Sequence, residues 1–590
     1  MSGKTKNTKQ SPDFLKRASA IPHIELYLVV MIFILAVVIR VYADPSIPYH
    51  YDPGKNIVYA RAALEWFPLI PQYNPYFNLG EYYEYQILFP YLVAFFHKIS
   101  AVSLVTITTW LAVISGAALS ITVYYLTDEI SKSKPAALFS AFLIAVSEIQ
   151  ILQYVNYYPQ ILAMTLMPLA LLFLIRYVKS QEFMYFILTA ILSSLIILSS
   201  YLVGLVYSVI VVISLAIWCY FDRKAIKILI FVSVITALLL TFFWLPIVWR
   251  HGVSQFIGAA LSIIFDTTGT FTNQPWTLTS FLSYSMVALI AILAGIGAII
   301  VLKRLKWQNF RWDFPKILLA VWLLVSFGLM ASYLIRPILW VDRFSPFFDI
   351  ALLICAGIAL SLLIDAINAV KAGPKYKGYL LLILLLIPLL NAVNPGVVFG
   401  KWGYPSDFAT LNYMEQNLPP DVLVVAPPSI DGFWVSALSG VRILGGETSQ
   451  LMGREYSGDM DSYMIINSPD TEEKMALIRK YGVNYIFLPV HEDVPAVWNP
   501  EIDQGGIDGF SNDTYFIVEQ YYRDYYGYTA LIKVREELPP QYHEEHINGT
   551  VTAVGYLVSV AVLGGLFYCH WLKKTGKGCK LPFFSIMLQL

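Results

Sequence analysis

The residues of this chain that could act on a substrate stand at the edges of long apolar runs. The first such run gives way to a stretch, residues 43–63, in which Asp44, His50 and Asp52 lie among aromatic and proline residues. A carboxylate there can take a proton from an attacking hydroxyl, and an imidazole can act as a base or a metal ligand. Structural readings stand beside these. Asp52 precedes Pro53 and Gly54, a common turn device, and can cap a helix starting near Lys55. A lone His50 among aromatics can be a hydrogen-bonded packing residue. Further along, Arg336 and the pair Asp342 and Arg343 border another apolar run. A guanidinium suits a phosphate because its planar fork donates to two oxygens at once, although arginines at such edges also snorkel or neutralise a neighbouring acid. Glu148 stands at the end of a further run, where a glutamate is ordinarily solvated at the interface. Asp431, ahead of Gly432, reads as a turn, with Phe433 and Trp434 as core residues of a following helix.

The elements that must position these residues are membrane spans. Of 590 residues, 57% are hydrophobic and 14% charged, against about a quarter charged in soluble domains. Net charge is zero, and the basic residues form no single patch, so no nucleic-acid partner is expected. The four cysteines match no zinc or redox spacing, and no disulfide framework is expected. Apolar runs predict spans near 22–41, 102–126, 136–152, 161–175, 183–199, 202–218, 228–248, 281–302, 317–333, 347–364, 379–390 and 551–571, about twelve in all. Basic residues gather on alternate connections, among them Lys132 and Lys134, Arg176 and Lys179, Arg223 with Lys224, and Lys573 to Lys580. By the positive-inside rule these are cytoplasmic, with both termini, in a multi-pass protein of the cell membrane. Asp52, Glu148 and Arg343 then face outward.

From about Tyr404 to His546 the long apolar runs stop. A buried strand over 421–426 and a helix over Thr471–Tyr481 predict a soluble α/β domain on the outer face. The expected organisation is a membrane domain over 1–396 with an active first outer loop at 44–85, an extracytoplasmic α/β domain over 397–548, and a last span with a cytoplasmic tail over 549–590.

The ordered set of motifs resembles the GT-C superfamily of integral membrane glycosyltransferases and, within it, most closely though distantly the catalytic subunit of oligosaccharyltransferase. The carrying residues are the acidic first loop with Asp52 ahead of Ala60, Arg61 and Ala62, the stretch 154–162 leading to Pro168, Arg343 with Phe344, and the segment 429–446 around Asp431. The resemblance implies a GT-C-like bundle. It also implies a polyprenyl-phosphate-linked sugar donor drawn from the membrane lipid, an acceptor glycan or hydroxyl, and inversion at the anomeric carbon. Asp52 would be the catalytic base, Arg343 and Arg336 would bind the donor phosphate, and His50, Glu148 and Asp431 would be secondary or acceptor residues. Two family features are missing. The second loop has Pro159 and Gln160 where the family places a paired acidic motif for a divalent metal, so the metal stays unassigned. Ser429 and Ile430 stand where the family has tandem tryptophans, which argues against recognition of an Asn-x-Ser/Thr peptide. Protein glycosylation of the oligosaccharyltransferase type, and transport or flipping of a lipid-linked glycan, are the alternative expectations.

Overall fold

The computed structural model describes residues 24–43, 51–66, 74–77, 86–151, 158–262, 293, 295–299, 310–334, 341–369, 386, 389, 404–427, 432–444, 457–491, 506–525, 527–539 and 549–575. Its first part is a bundle of apolar helices: α1 (Ile24–Ala43), α2 (Tyr51–Trp66), α3 (Leu88–Ser100), α4 (Leu104–Ser131), α5 (Lys134–Val146), α6 (Tyr158–Ser180), α7 (Phe183–Ser199), α8 (Tyr201–Phe221), α9 (Lys224–Leu239), α10 (Thr241–Ser262), α11 (Phe310–Met330) and α12 (Val341–Ala369). Serines start several of these helices. The hydroxyls of Ser103, Ser133 and Ser200 accept from backbone N–H groups of the first turns of α4, α5 and α8, which would otherwise be left bare in an apolar medium. Left-handed residues at Lys132 and Gln181 close the tight turns after α4 and α6. The bundle core is packed by large side chains such as Trp218, Phe314 and Trp322.

Among the described residues, six helices are long and apolar enough to cross a membrane, seven if one bent pair is counted as a span. Four of the basic residues predicted to share a side, Lys132, Lys134, Arg176 and Lys179, do so. Lys132, Arg176 and Lys179 surround Glu129, and Lys134 pairs with Glu25, all at one end of the bundle. The span predicted over 228–248 is not straight: α9 and the first part of α10 meet at 72°. The Leu238 carbonyl is taken by Thr241 Oγ1 at 2.8 Å and the Ala237 carbonyl by Trp244 Nε1 at 2.7 Å, so side chains replace the amides of a continuing helix. Cys569 is disulfide-bonded, contrary to the cysteine reading, whereas Cys219 and Cys355 are free. The spans expected near 281–302 and 379–390 lie almost entirely outside the described residues.

An α/β region follows, comprising α13 (Pro405–Asn417), β1 (Leu423–Val425), α14 (Gly432–Ser439), β2 (Arg442–Leu444), α15 (Ser457–Asn467), α16 (Thr471–Tyr481), β3 (Tyr485–His491), β4 (Phe516–Arg523) and β5 (Gly527–Val534), and then the apolar helix α17 (Gly549–Lys574). The helix at Thr471–Tyr481 has the bounds its pattern predicts, from the Asp470 cap to Gly482 in the left-handed conformation. The sheet has the order β2-β1-β3-β5-β4, parallel at β2-β1-β3 and antiparallel beyond. Side chains alternate between its faces. Leu423, Val425, Ile486, Leu488 and Ile532 pack on one side with Met475 and Ile478. Val424, Ile443, Tyr485, Phe487 and Leu531 pack on the other, in one apolar cluster with α2, α14 and the bundle residues Phe89, Tyr158 and Phe243. Full burial on both faces explains why β1 reads as an unbroken apolar run. It also joins the α/β region to the bundle end opposite Glu129.

Candidate active site

The first loop is built onto the α/β region. Helix α2 starts at Tyr51, so Asp52 and Pro53 fall in its first turn instead of capping a helix that starts at Lys55. The first turn suits both residues, since its amides lack helix acceptors and its dipole end favours a carboxylate. Gly54 lies against the Trp434 indole of α14, where a side-chain β-carbon would sit 3.0 Å from Cε2. Arg61 Nε donates to the Ala437 carbonyl at 2.9 Å and one terminal nitrogen to the Leu438 carbonyl at 3.3 Å, capping the C-terminal end of α14. Phe77 bridges to Ile443, and Ile443 N–H donates to the Tyr76 carbonyl at 3.0 Å, so the loop also covers the edge strand β2. The Tyr76 hydroxyl donates to Glu65 at 2.7 Å, and burial together with the Glu65 charge raises its pKa. Two further polar residues of α2, Lys55 and Asn56, are buried.

The second loop is built onto α12 at the same end of the bundle. Glu148, half-buried, follows Ser147 in a single helical turn at 148–151. Asp349 of α12 is 3% exposed and accepts from Ser147 Oγ at 2.8 Å and Gln150 Nε2 at 2.9 Å. Gln150 also donates to the Pro346 carbonyl at 3.1 Å, and Gln160, in the first turn of α6, donates to the Arg343 carbonyl at 3.3 Å. Arg40 of α1 is fully buried beside this loop, donating to the carbonyls of Ala36 and Ala145 against Gly116, which has no side chain to block it.

Of the sequence-predicted residues, Arg343 and Glu148 are brought to one end of the bundle on segments that hydrogen-bond to each other. The helix of Asp52 is brought against the helix that opens one residue after Asp431. The side chain of Asp52 lies outside the described part, as do His50, Arg336 and Asp431 altogether. Sequence reasoning gave no site role to Asp349, Arg40, Lys55, Arg61, Gln150 and Gln160. For Asp349 and Arg40 a signal was present, an ionisable residue inside an apolar run, which in a membrane protein marks a functional place by default. Among the described residues no three His, Cys, Asp or Glu side chains converge to hold a metal ion, and Glu148 is the acidic side chain that the described part of the second loop offers.

A bundle whose first loop docks on a C-terminal α/β region is a GT-C-like fold. Three solved structures carry the comparison. The oligosaccharyltransferase of Archaeoglobus fulgidus in its apo form superposes with a TM-score of 0.57 at 15% identity, covering 80% of this chain and 70% of that one. ArnT from Cupriavidus metallidurans bound to undecaprenyl phosphate gives 0.54 at 12% identity over 87% of this chain and 99% of that one. The mycobacterial arabinofuranosyltransferase AftD gives 0.55 at 14% identity over 86% of this chain and 41% of that one. No protein-family model and no curated protein sequence matches the chain.

Proposed function

We propose that the chain is a membrane glycosyltransferase that moves a sugar from a polyprenyl-phosphate-linked donor to an acceptor on the outer face of the cell membrane, with inversion. The observation that carries the reading is the joint placement of the Asp52 helix on α14 and of the second loop on the start of α12. In this reading the carboxyl group of Asp52 serves the acceptor side and the guanidinium of Arg343 the donor side. The likeness to ArnT bound to undecaprenyl phosphate and to A. fulgidus oligosaccharyltransferase in complex with a dolichol-phosphate supports a lipid phosphate as the carrier.

In this reading the acceptor oxygen attacks the anomeric carbon while the bond from that carbon to the phosphate oxygen breaks. Asp52 takes the acceptor proton. The phosphate leaves on the polyprenyl chain with a full negative charge, and the fork of Arg343, assisted by Arg336, stabilises it. Both termini are cytoplasmic. His50, Glu148 and Asp431 border the acceptor. The acceptor itself is a glycan or another hydroxyl and not an Asn-x-Thr peptide, because Ser429 and Ile430 stand where the family has the tandem tryptophans of its peptide-binding motif.

The test is transfer from a radiolabelled polyprenyl-phosphate sugar in vesicles. Asp52→Asn keeps the size of the side chain and removes the basic oxygen, so transfer falls by about a hundredfold or more while the protein stays folded. Asp44→Asn costs little. Equal transfer by Asp52→Asn and wild type would return Asp52 to a structural role, and accumulation of intact donor across the membrane without product would favour a transporter.

A further inference from the structure

Asp349 lies inside the apolar helix α12, and no step of the transfer uses it. A carboxylate in a membrane bundle is costly unless its partners are supplied, and here they come from one neighbouring segment. Ser147 Oγ and Gln150 Nε2 both donate to Oδ2, at 2.8 and 2.9 Å. Ser147 Oγ in turn accepts the Gln150 backbone N–H at 3.4 Å, so the carboxylate orients the residue that starts the 148–151 turn. Gln150 reaches the Pro346 carbonyl at 3.1 Å, and beyond the loop Gln160 holds the Arg343 carbonyl at 3.3 Å. The second loop is thus pinned to α12 on both sides of its tip, with Glu148 beside the pin and Arg343 at the other end of the same stretch of helix.

We infer that Asp349 is a positioning residue of the donor side, holding the second loop against the turn of α12 that presents Arg343 to the lipid phosphate. The inference rests on the transferase reading. The two donors are neutral, so the carboxylate acts by accepting hydrogen bonds in a fixed place, and an asparagine carbonyl can accept both. A leucine accepts neither and strands buried donors.

The test uses purified full-length protein, with affinity for polyprenyl phosphate as a readout free of turnover and KM and kcat for the polyprenyl-phosphate sugar beside it. Asp349→Leu is expected to weaken polyprenyl phosphate binding about tenfold and to raise KM in step, with a smaller change in kcat; Asp349→Asn stays within about threefold of wild type. Asp365→Asn, exposed on the same helix, changes nothing. If Asp349→Leu does not fold, Ser147→Ala combined with Gln150→Leu breaks the same contacts from the loop side and is expected to give the same weakening. Wild-type affinity in the variant that folds overturns the inference. So does an Asp349→Asn defect equal to that of leucine, because the charge would then be what matters. A wild-type protein that binds polyprenyl phosphate in this Asp349-dependent way and transfers no sugar would sink the transferase reading and leave the positioning role standing; no binding by wild type would sink both.

Discussion

Arg61 and Ala437 are 376 positions apart in sequence, yet the guanidinium Nε of the first donates to the carbonyl of the second at 2.9 Å. The contact ties the helix carrying Asp52 to the C-terminal end of α14, where the bare carbonyls and the helix dipole both favour a cation. The nearby Glu415 is exposed and 3.8 Å away, a pair that contributes little.

Removing the tie has a defined outcome. Arg61→Ala is expected to cost about 2 kcal/mol, the range of hydrogen bonds to a charged donor, and to expose the first loop to limited proteolysis. Arg61→Lys recovers part of this, and Glu415→Gln is neutral within ~0.5 kcal/mol. Unchanged melting and proteolysis of Arg61→Ala would show that apolar burial alone seats α2.

The contact of Gly54 with Trp434 is a matter of space. A β-carbon at position 54 meets the indole at 3.0 to 3.1 Å, so Gly54→Ala pushes the ring by a few tenths of an ångström and Gly54→Leu cannot be seated without moving α2 from α14. Overpacking of this kind costs about 1–3 kcal/mol. The expected order of thermal stability is wild type, then alanine, then leucine, and Trp434 fluorescence should shift in the same order.

Arginine and lysine differ at a phosphate, because lysine keeps the charge and loses the fork. Arg343→Lys is expected to lower transfer about a hundredfold, the scale of losing one aimed donor. Arg336→Lys, farther from the α12 turn in sequence, costs less. Donor binding by Arg343→Ala at the wild-type level would remove Arg343 from the site.

Lys474 in α16 is 2% exposed and has carbonyl partners at Gly509 (3.1 Å) and Ile466 (3.4 Å), with the Phe510 ring 4.0 Å from its ammonium. Burial lowers its pKa from the ordinary 10.5 to about 8. Between these values the unfolded chain holds a proton that the folded one lacks, so this residue makes stability rise as pH rises from about 8 to 10.5, and contributes no slope below 8. Each pKa unit is worth about 1.4 kcal/mol, so the rise is ~2–3 kcal/mol. Denaturant titrations of the full chain at pH 7.5 and 10 should lose that difference in Lys474→Met.

What the sequence determined by itself is whatever local composition controls. Apolar runs and their basic flanks placed α1, α4, α6, α7, α8, α12 and α17, because a span must satisfy its own backbone in lipid and needs no distant partner to be recognised. The Thr471–Tyr481 helix was legible for a similar reason, with an aspartate before it and a glycine after it. The GT-C likeness was legible in the order of Asp52, Pro168 and Arg343. Only the tertiary structure decided what joins these places. Nothing in the order of residues says that Arg61 caps α14, that Tyr76 and Phe77 cover β2, or that Asp349 receives Ser147 and Gln150, since these contacts link segments hundreds of positions apart. The bend between α9 and α10 escaped because it depends on Thr241 and Trp244 turning back to carbonyls, a choice that hydropathy does not encode. Asp349 stood in view as one carboxylate in a run of phenylalanine, isoleucine and leucine, but its meaning depends on which donors the fold brings to it.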